Sequence, residues 1–186
     1  MTRMLTLMVL LPAILAVSGC STQFEQGYAA RGASKQSAPV PTEAVPAVHT
    51  VGSDFSRIIV VRLKYGTDLL DGLQKAAKQE KIKNAVILSG VGSLTSYRVH
   101  VVHSTTFPVK EAFPKTEVPQ DLLNVNGYMI DGRVHAHVIF SDQTKAIGGH
   151  LESGTNVYTF AIITLGILQD SANLARFDNW WPNIGC

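Results

Sequence analysis

The sequence carries little charge and almost no cysteine. Charged residues make up 16% of its 186 positions, and the formal net charge is only +2. A chain this close to neutral has no field suited to gripping nucleic acid or anionic lipid, so no nucleic-acid partner is expected. Two cysteines, Cys20 and Cys186, cannot build a disulfide framework. The apolar run Met4 to Val17 covers 14 residues. That is too short to cross a bilayer, which takes roughly 20. No Gly-x-Ser-x-Gly elbow occurs. Ser89-Gly90-Val91-Gly92-Ser93 lacks the third glycine and the following helix of a dinucleotide fingerprint. Its Gly90 and Gly92 are instead expected to serve a sharp turn or close backbone packing.

What is present at the start reads as a secretory leader. Arg3 supplies the positive region, Met4 to Val17 the apolar one, and Ser18-Gly19 the small residues before a cleavage point. Val17-Ser18-Gly19-Cys20 then reads as a lipobox, with cleavage before Cys20 and lipid on its thiol. On this reading the chain is expected at the periplasmic face of a cell envelope. Ser21 rather than Asp in the next position favours the outer membrane. The expected layout is a signal peptide over 1–19, the lipidated cysteine and a flexible linker over 20–54, and a folded domain over 55–186. Ser21 to Asp54, rich in Ala, Ser, Gln and Pro, buries too little apolar surface to offset chain entropy. As a tether it reaches on the order of 30 Å. With Cys20 lipidated, Cys186 has no partner within the chain.

From Phe55 the pattern is globular. Ser56 to Tyr65 reads as a β-branched strand, and Asp68 to Ile82 carries a helical apolar stripe that Thr67 can cap. Strands follow at Ala85 to Leu88, Tyr97 to His103, Leu122 to Ile130, Arg133 to Phe140, Ala146 to Leu151 and Val157 to Leu168. Thr105 to Pro119, with three prolines, reads as a loop. One early helix and about seven strands joined mostly by short turns predict an α/β domain with a largely antiparallel mixed sheet and the helix on one face. Trp180 and Trp181 are expected to cover a sheet edge or a subunit contact.

Histidines mark the candidate site. In Arg133 to Phe140, His135 and His137 alternate with Val134, Ala136 and Val138, so the two imidazoles share a face, roughly 7 Å apart. If Gln143-Thr144 forms the turn, His137 falls opposite His150 and His135 opposite Glu152, on one surface. Three imidazoles with an open position suit zinc or a similar divalent ion, with Glu152 as a fourth ligand or a base acting on bound water. A polar seam or pocket without metal is the alternative. Gly148 and Gly149 could host a bulge that alters the register. His100 and His103, three apart on a strand, face opposite sides, and His49 lies in the linker. None of the three is a natural fourth ligand.

Ala85 to Leu94 (AVILSGVGSL), Val134-His135-Ala136-His137-Val138, Ser141-Asp142, Gly148-Gly149-His150-Leu151 and Gly154 occur in this order. Together with Gly66-Thr67-Asp68-Leu69-Leu70 they resemble the PPC ("plants and prokaryotes conserved") domain family over about Phe55 to Trp181. The resemblance implies an α/β sheet domain that assembles as a homotrimer. It also implies recurrent histidines at His135, His137 and His150. Plant members join this domain to AT-hook DNA-binding segments. No AT-hook occurs here, Arg31-Gly32 being the nearest fragment, and export would separate the protein from DNA. The last strand of the family usually carries a Glu where this chain has Ile162. The expected function is therefore a trimeric, membrane-anchored module that binds a small ligand or acts as a scaffold. The alternative is a zinc-type hydrolase using the three histidines.

Overall fold

Ten elements account for the chain between Phe55 and Asp178. The computed structural model describes residues 46–105 and 109–178. The expected leader, Cys20, most of the expected linker, Trp180, Trp181 and Cys186 lie outside the described residues. The β-branched run Phe55–Lys64 forms β1, and helix α1 follows at Leu69–Gln79. Then come β2 (Ala85–Val102), β3 (Glu111–Ala112), β4 (Lys115–Thr116) and β5 (Gln120–Ile130). β6 (Arg133–Ser141), β7 (Ala146–Leu151), β8 (Asn156–Leu168) and the short helix α2 (Ala175–Asp178) complete the order. No helix among the described residues is long and apolar enough to cross a membrane.

The strands form one antiparallel sheet in the order β1-β8-β2-β5-β6-β7, with β3 and β4 pairing with β2. β7 also returns to pair with the far end of β2, Val99 with Leu151 and His100 with His150. Strands β2, β5, β6 and β7 therefore close on one another, and β8 and β1 extend the sheet from β2. The expected antiparallel sheet with one main helix is what forms. The two-residue strands β3 and β4 arise inside the segment expected to be a loop, because the long β2 offers its ladder there.

Asp68, rather than Thr67, caps α1. Its Oδ1 accepts from the Asp71 amide at 3.0 Å, and its Oδ2 accepts from the Gly154 amide at 2.6 Å. The helix thus starts at the next residue, tied to the β7–β8 turn. Asp71 in the first turn and Lys78 in the last complement its dipole. Its buried stripe of Leu69, Leu73, Ala76 and Ala77 packs over the sheet beside β1, β6 and β8. The core continues through Val125, Met129, Ala136, Val138, Phe140, Leu151 and Ile163. Tyr97 and Phe140 pack ring to ring at 4.2 Å.

The Ser89–Ser93 segment makes no turn. β2 runs through it for 18 residues, bending at register shifts between Ile87 and Ser89 and between Gly92 and Leu94. The glycines serve close packing. A Cβ on Gly92 would lie 2.2 Å from the Phe160 carbonyl oxygen, and one on Gly90 2.7 Å from the Val125 side chain. The hairpin between β5 and β6 does turn at Asp131-Gly132. Both residues have positive φ, at 49° and 75°, as a two-residue turn of this hand requires.

Candidate metal centre

β6 and β7 pair in the register that a Gln143-Thr144 turn requires. Ser141 faces Ala146, Phe140 faces Ile147, and His137 faces His150. Asp142 secures the turn, its Oδ1 accepting from the Thr144 amide at 2.7 Å, the Thr144 hydroxyl at 2.6 Å and the Lys145 amide at 3.0 Å. These bonds hold the Asp142 carboxyl below its usual range. On β6, Ala136, Val138 and Phe140 are buried, while His135 and His137 stand on the outer face. Each of His135, His137 and His150 offers a nitrogen, and these atoms all lie within 4.8 Å of one another. His150 meets the other two edge-on, at ring separations of 4.7 Å and 5.2 Å.

Gly148 and Gly149 leave the His137–His150 pairing intact. They let β7 fit between two strands. A Cβ on Gly148 would sit 2.4 Å from the Val138 carbonyl oxygen on β6. One on Gly149 would sit 2.7 Å from the His100 carbonyl oxygen on β2.

Glu152 does not stand opposite His135. The β6–β7 ladder ends at His137–His150, and the chain then turns toward β2, where the Glu152 amide donates to the Arg98 carbonyl at 3.1 Å. The Glu152 carboxylate accepts from His100 Nδ1 at 2.7 Å. His100 itself, set aside on the sequence, lies against the cluster. It is opposite His150 in the β2–β7 ladder, and the rings stack at 4.4 Å. Three neighbouring strands thereby lay His137, His150 and His100 in a row across the sheet. His103 is exposed beyond the end of β2, and His49 packs edge-on against Phe177 at 5.4 Å.

Two further neighbours went unread in the sequence. Asn126 stands opposite His137 and Tyr128 opposite His135, both exposed. The Asp131-Gly132 turn carried the signal, since a two-residue turn there fixes both pairings. Ile162, at the family's Glu position, lies on β8 opposite Val91 of β2. Within one chain that is three strand steps from β6, about 14 Å, so Ile162 is outside the three-histidine group.

The donor set fits a divalent transition metal. Burial, reinforced by the neighbouring imidazoles of His100, His135 and His137, holds His150 down at about 4. Burial first, then His135 and His100, lowers His137 in the same direction. Both rings are therefore neutral at pH 7, the form that ligates. A tetrahedral ion with bonds of 2.0–2.1 Å needs nitrogens roughly 3.4 Å apart, against separations of up to 4.8 Å here.

The sequence matches the model of the Plants and Prokaryotes Conserved (PCC) domain over residues 51–169. Among curated proteins it is 32% identical over 110 residues to the bifunctional protein GlmU of Synechococcus sp. (strain JA-3-3Ab). The match takes in 59% of this chain, yet the chain spans only 17% of that protein's length. Among solved structures, it resembles the metal-containing protein AF0104 of Archaeoglobus fulgidus with a TM-score of 0.57 at 22% identity, covering 67% of this chain and 89% of that one. A plant- and prokaryote-conserved protein of Pyrococcus horikoshii gives a TM-score of 0.53 at 23% identity over 68% and 86%. A protein of Bacteroides thetaiotaomicron whose name suggests DNA binding gives 0.53 at 15% identity over 67% and 87%. At these identities the structural likeness establishes the fold.

Proposed function

Because the chain belongs to the Plants and Prokaryotes Conserved domain family, we propose that it is a small-ligand-binding module whose binding centre is a divalent metal held by His135, His137 and His150. The observation that carries this reading is the convergence of three imidazole nitrogens within 4.8 Å on an open face of the sheet. The name of the Archaeoglobus relative, a metal-containing protein, supports it. The metal would supply an electrophilic centre for a ligand's lone-pair donor. The chain's own part is to keep His137 and His150 neutral, aim the three imidazoles together, and leave His137 exposed so that a ligand can approach. Asn126 and Tyr128 border that approach with an amide and a phenol able to hydrogen-bond an oxygen-bearing ligand.

A second reading is a metal-dependent hydrolase with Glu152 as base. It is favoured by the placement of that carboxylate one imidazole away from His150. The remaining parts of the proposal rest on other features. Self-association, as a trimer, is supported by exposed Ile58, Val60, Val91, Tyr158 and Phe160 on the sheet surface turned away from α1. Lipid anchoring at the periplasmic face of the cell envelope is supported by Val17-Ser18-Gly19-Cys20.

The deciding experiment is metal content per chain in the purified protein and in a His135→Ala/His137→Ala double variant. About one zinc-like ion per chain, lost in the double variant, is the expected result. No metal in either after incubation with zinc, with both folded, removes the metal from the proposal.

A further inference from the structure

His100 belongs to no ligand set, yet its surroundings hold its ring from several sides. Its Nδ1–H donates to Glu152 Oε1 at 2.7 Å. Its Nε2 lies 3.8 Å from Glu111 Oε1, contributed by β3. The Phe113 ring is 5.5 Å away at 50°, and the His100 side chain is only 12% exposed. Against His150 it lies nearly parallel, with 26° between planes and 4.4 Å between centroids.

His150 needs such a neighbour. The torsion that turns an imidazole about its last single bond is broad and roughly two-fold, so the residue's own rotamer preference does not fix the ring plane. A metal ligand must nonetheless present one nitrogen in one direction. In the metal sites of proteins generally, this is done by a group behind the ligand. The His150 ring stands nearly perpendicular to those of His135 and His137, at 82° and 85°. The parallel stack on His100 holds it in that plane. Glu152 in turn keeps His100 from rotating.

We propose that His100, locked by Glu152, is a positioning residue that sets the ring plane of His150 and so completes the three-imidazole centre. The inference rests on the metal reading above for its effect on affinity, but not for its effect on the ring. The stack needs β7 to close onto β2, so the positioning residue arrives from a strand that carries none of the ligands.

The test uses the purified full-length protein and the variants His100→Ala, His100→Phe and Glu152→Ala. Zinc affinity is read by competition with a chromophoric chelator, and coordination geometry by the visible spectrum of the cobalt-loaded protein. Mobility of the His150 ring is read from its NMR line widths in chelator-treated, metal-free protein. His100→Ala should weaken zinc binding about 10–100-fold, in line with removal of groups behind a ligand, and alter the cobalt spectrum. His100→Phe, which restores a ring to stack, should recover most of the affinity. Glu152→Ala should fall between. In the metal-free protein the His150 ring signals should exchange-broaden in His100→Ala and sharpen again in His100→Phe.

Wild-type affinity with a wild-type cobalt spectrum in His100→Ala would overturn the proposal. If the wild type binds neither zinc nor cobalt, the metal reading fails and the ring signals decide alone. Broadening in His100→Ala then upholds the positioning role, and unchanged line widths overturn it. Should His100→Ala fail to fold, Glu152→Ala is judged by the same criteria.

Discussion

One strand, β6, presents two unlike regions. Its inner face, with Ala136, Val138 and Phe140, is sealed into the core, and its outer face carries His135 and His137. The inner face is held from many sides, because those side chains join a cluster that draws on nearly every strand and on α1. The outer face depends on one joint. His137 meets His150, and His150 meets His100, only because β7 lies between β6 and β2. Stability and site are thus two properties of the same backbone with separate points of failure, and substitutions should separate them.

The largest effect belongs to the inner face. Phe140→Ala should destabilise the fold by about 3–5 kcal/mol, the usual cost of emptying a fully buried aromatic position. Urea unfolding with an unchanged slope checks it. Gly149→Ala strikes the joint. Its Cβ would need space that the His100 carbonyl occupies, and the expected cost is about 1–3 kcal/mol. Metal binding should fall much further than that cost implies. Equal losses of affinity in Gly149→Ala and Phe140→Ala, measured where both are folded, would break the comparison.

Asp68→Ala removes the cap of α1 and should cost about 1 kcal/mol. It should leave metal affinity unchanged, since α1 contributes nothing to the row. Titration bears on His150 itself. His150 sits at about 4 in the folded chain against an ordinary 6.5. The unfolded chain therefore takes up a proton that the folded chain resists as pH falls from about 6.5 toward 4, and stability declines over that window. In chelator, His150→Gln should lose less stability than the wild type between pH 7 and pH 5, by urea midpoints. His137 shifts in the same direction and keeps part of the slope. Equal declines in both proteins would remove His150 as the source.

The hairpin half of the site was legible in the sequence because its determinants are local. Strict alternation puts His135 and His137 on one face, and Asp142 with its three bonds fixes the turn that sets His150 against His137. His100 was not legible for the opposite reason. Which face of β2 meets the site depends on register shifts along the strand and on a ladder formed at its far end. Residue parity does not carry across the shifts. Gly90 and Gly92 left two roles open in a related way. Glycine signals either a turn or a close approach, and only Val125 and the Phe160 carbonyl, distant in sequence, decide for the latter. Glu152 was placed opposite His135 by extending the β6–β7 ladder two pairs past its last one, His137–His150.

The β2–β7 ladder also sets an order of events. His137 and His150 are 13 positions apart across a tight turn, whereas His100 and His150 are separated by 50. Hairpins of the first kind close in about 1–10 μs, while pairings with long intervening chain must first overcome the entropy of a large loop. During folding the ligating imidazoles therefore meet before the ring that orients them arrives. A metal captured early would meet a loose, adaptable centre. The stack that would set the geometry of the proposed centre forms only when β7 closes onto β2.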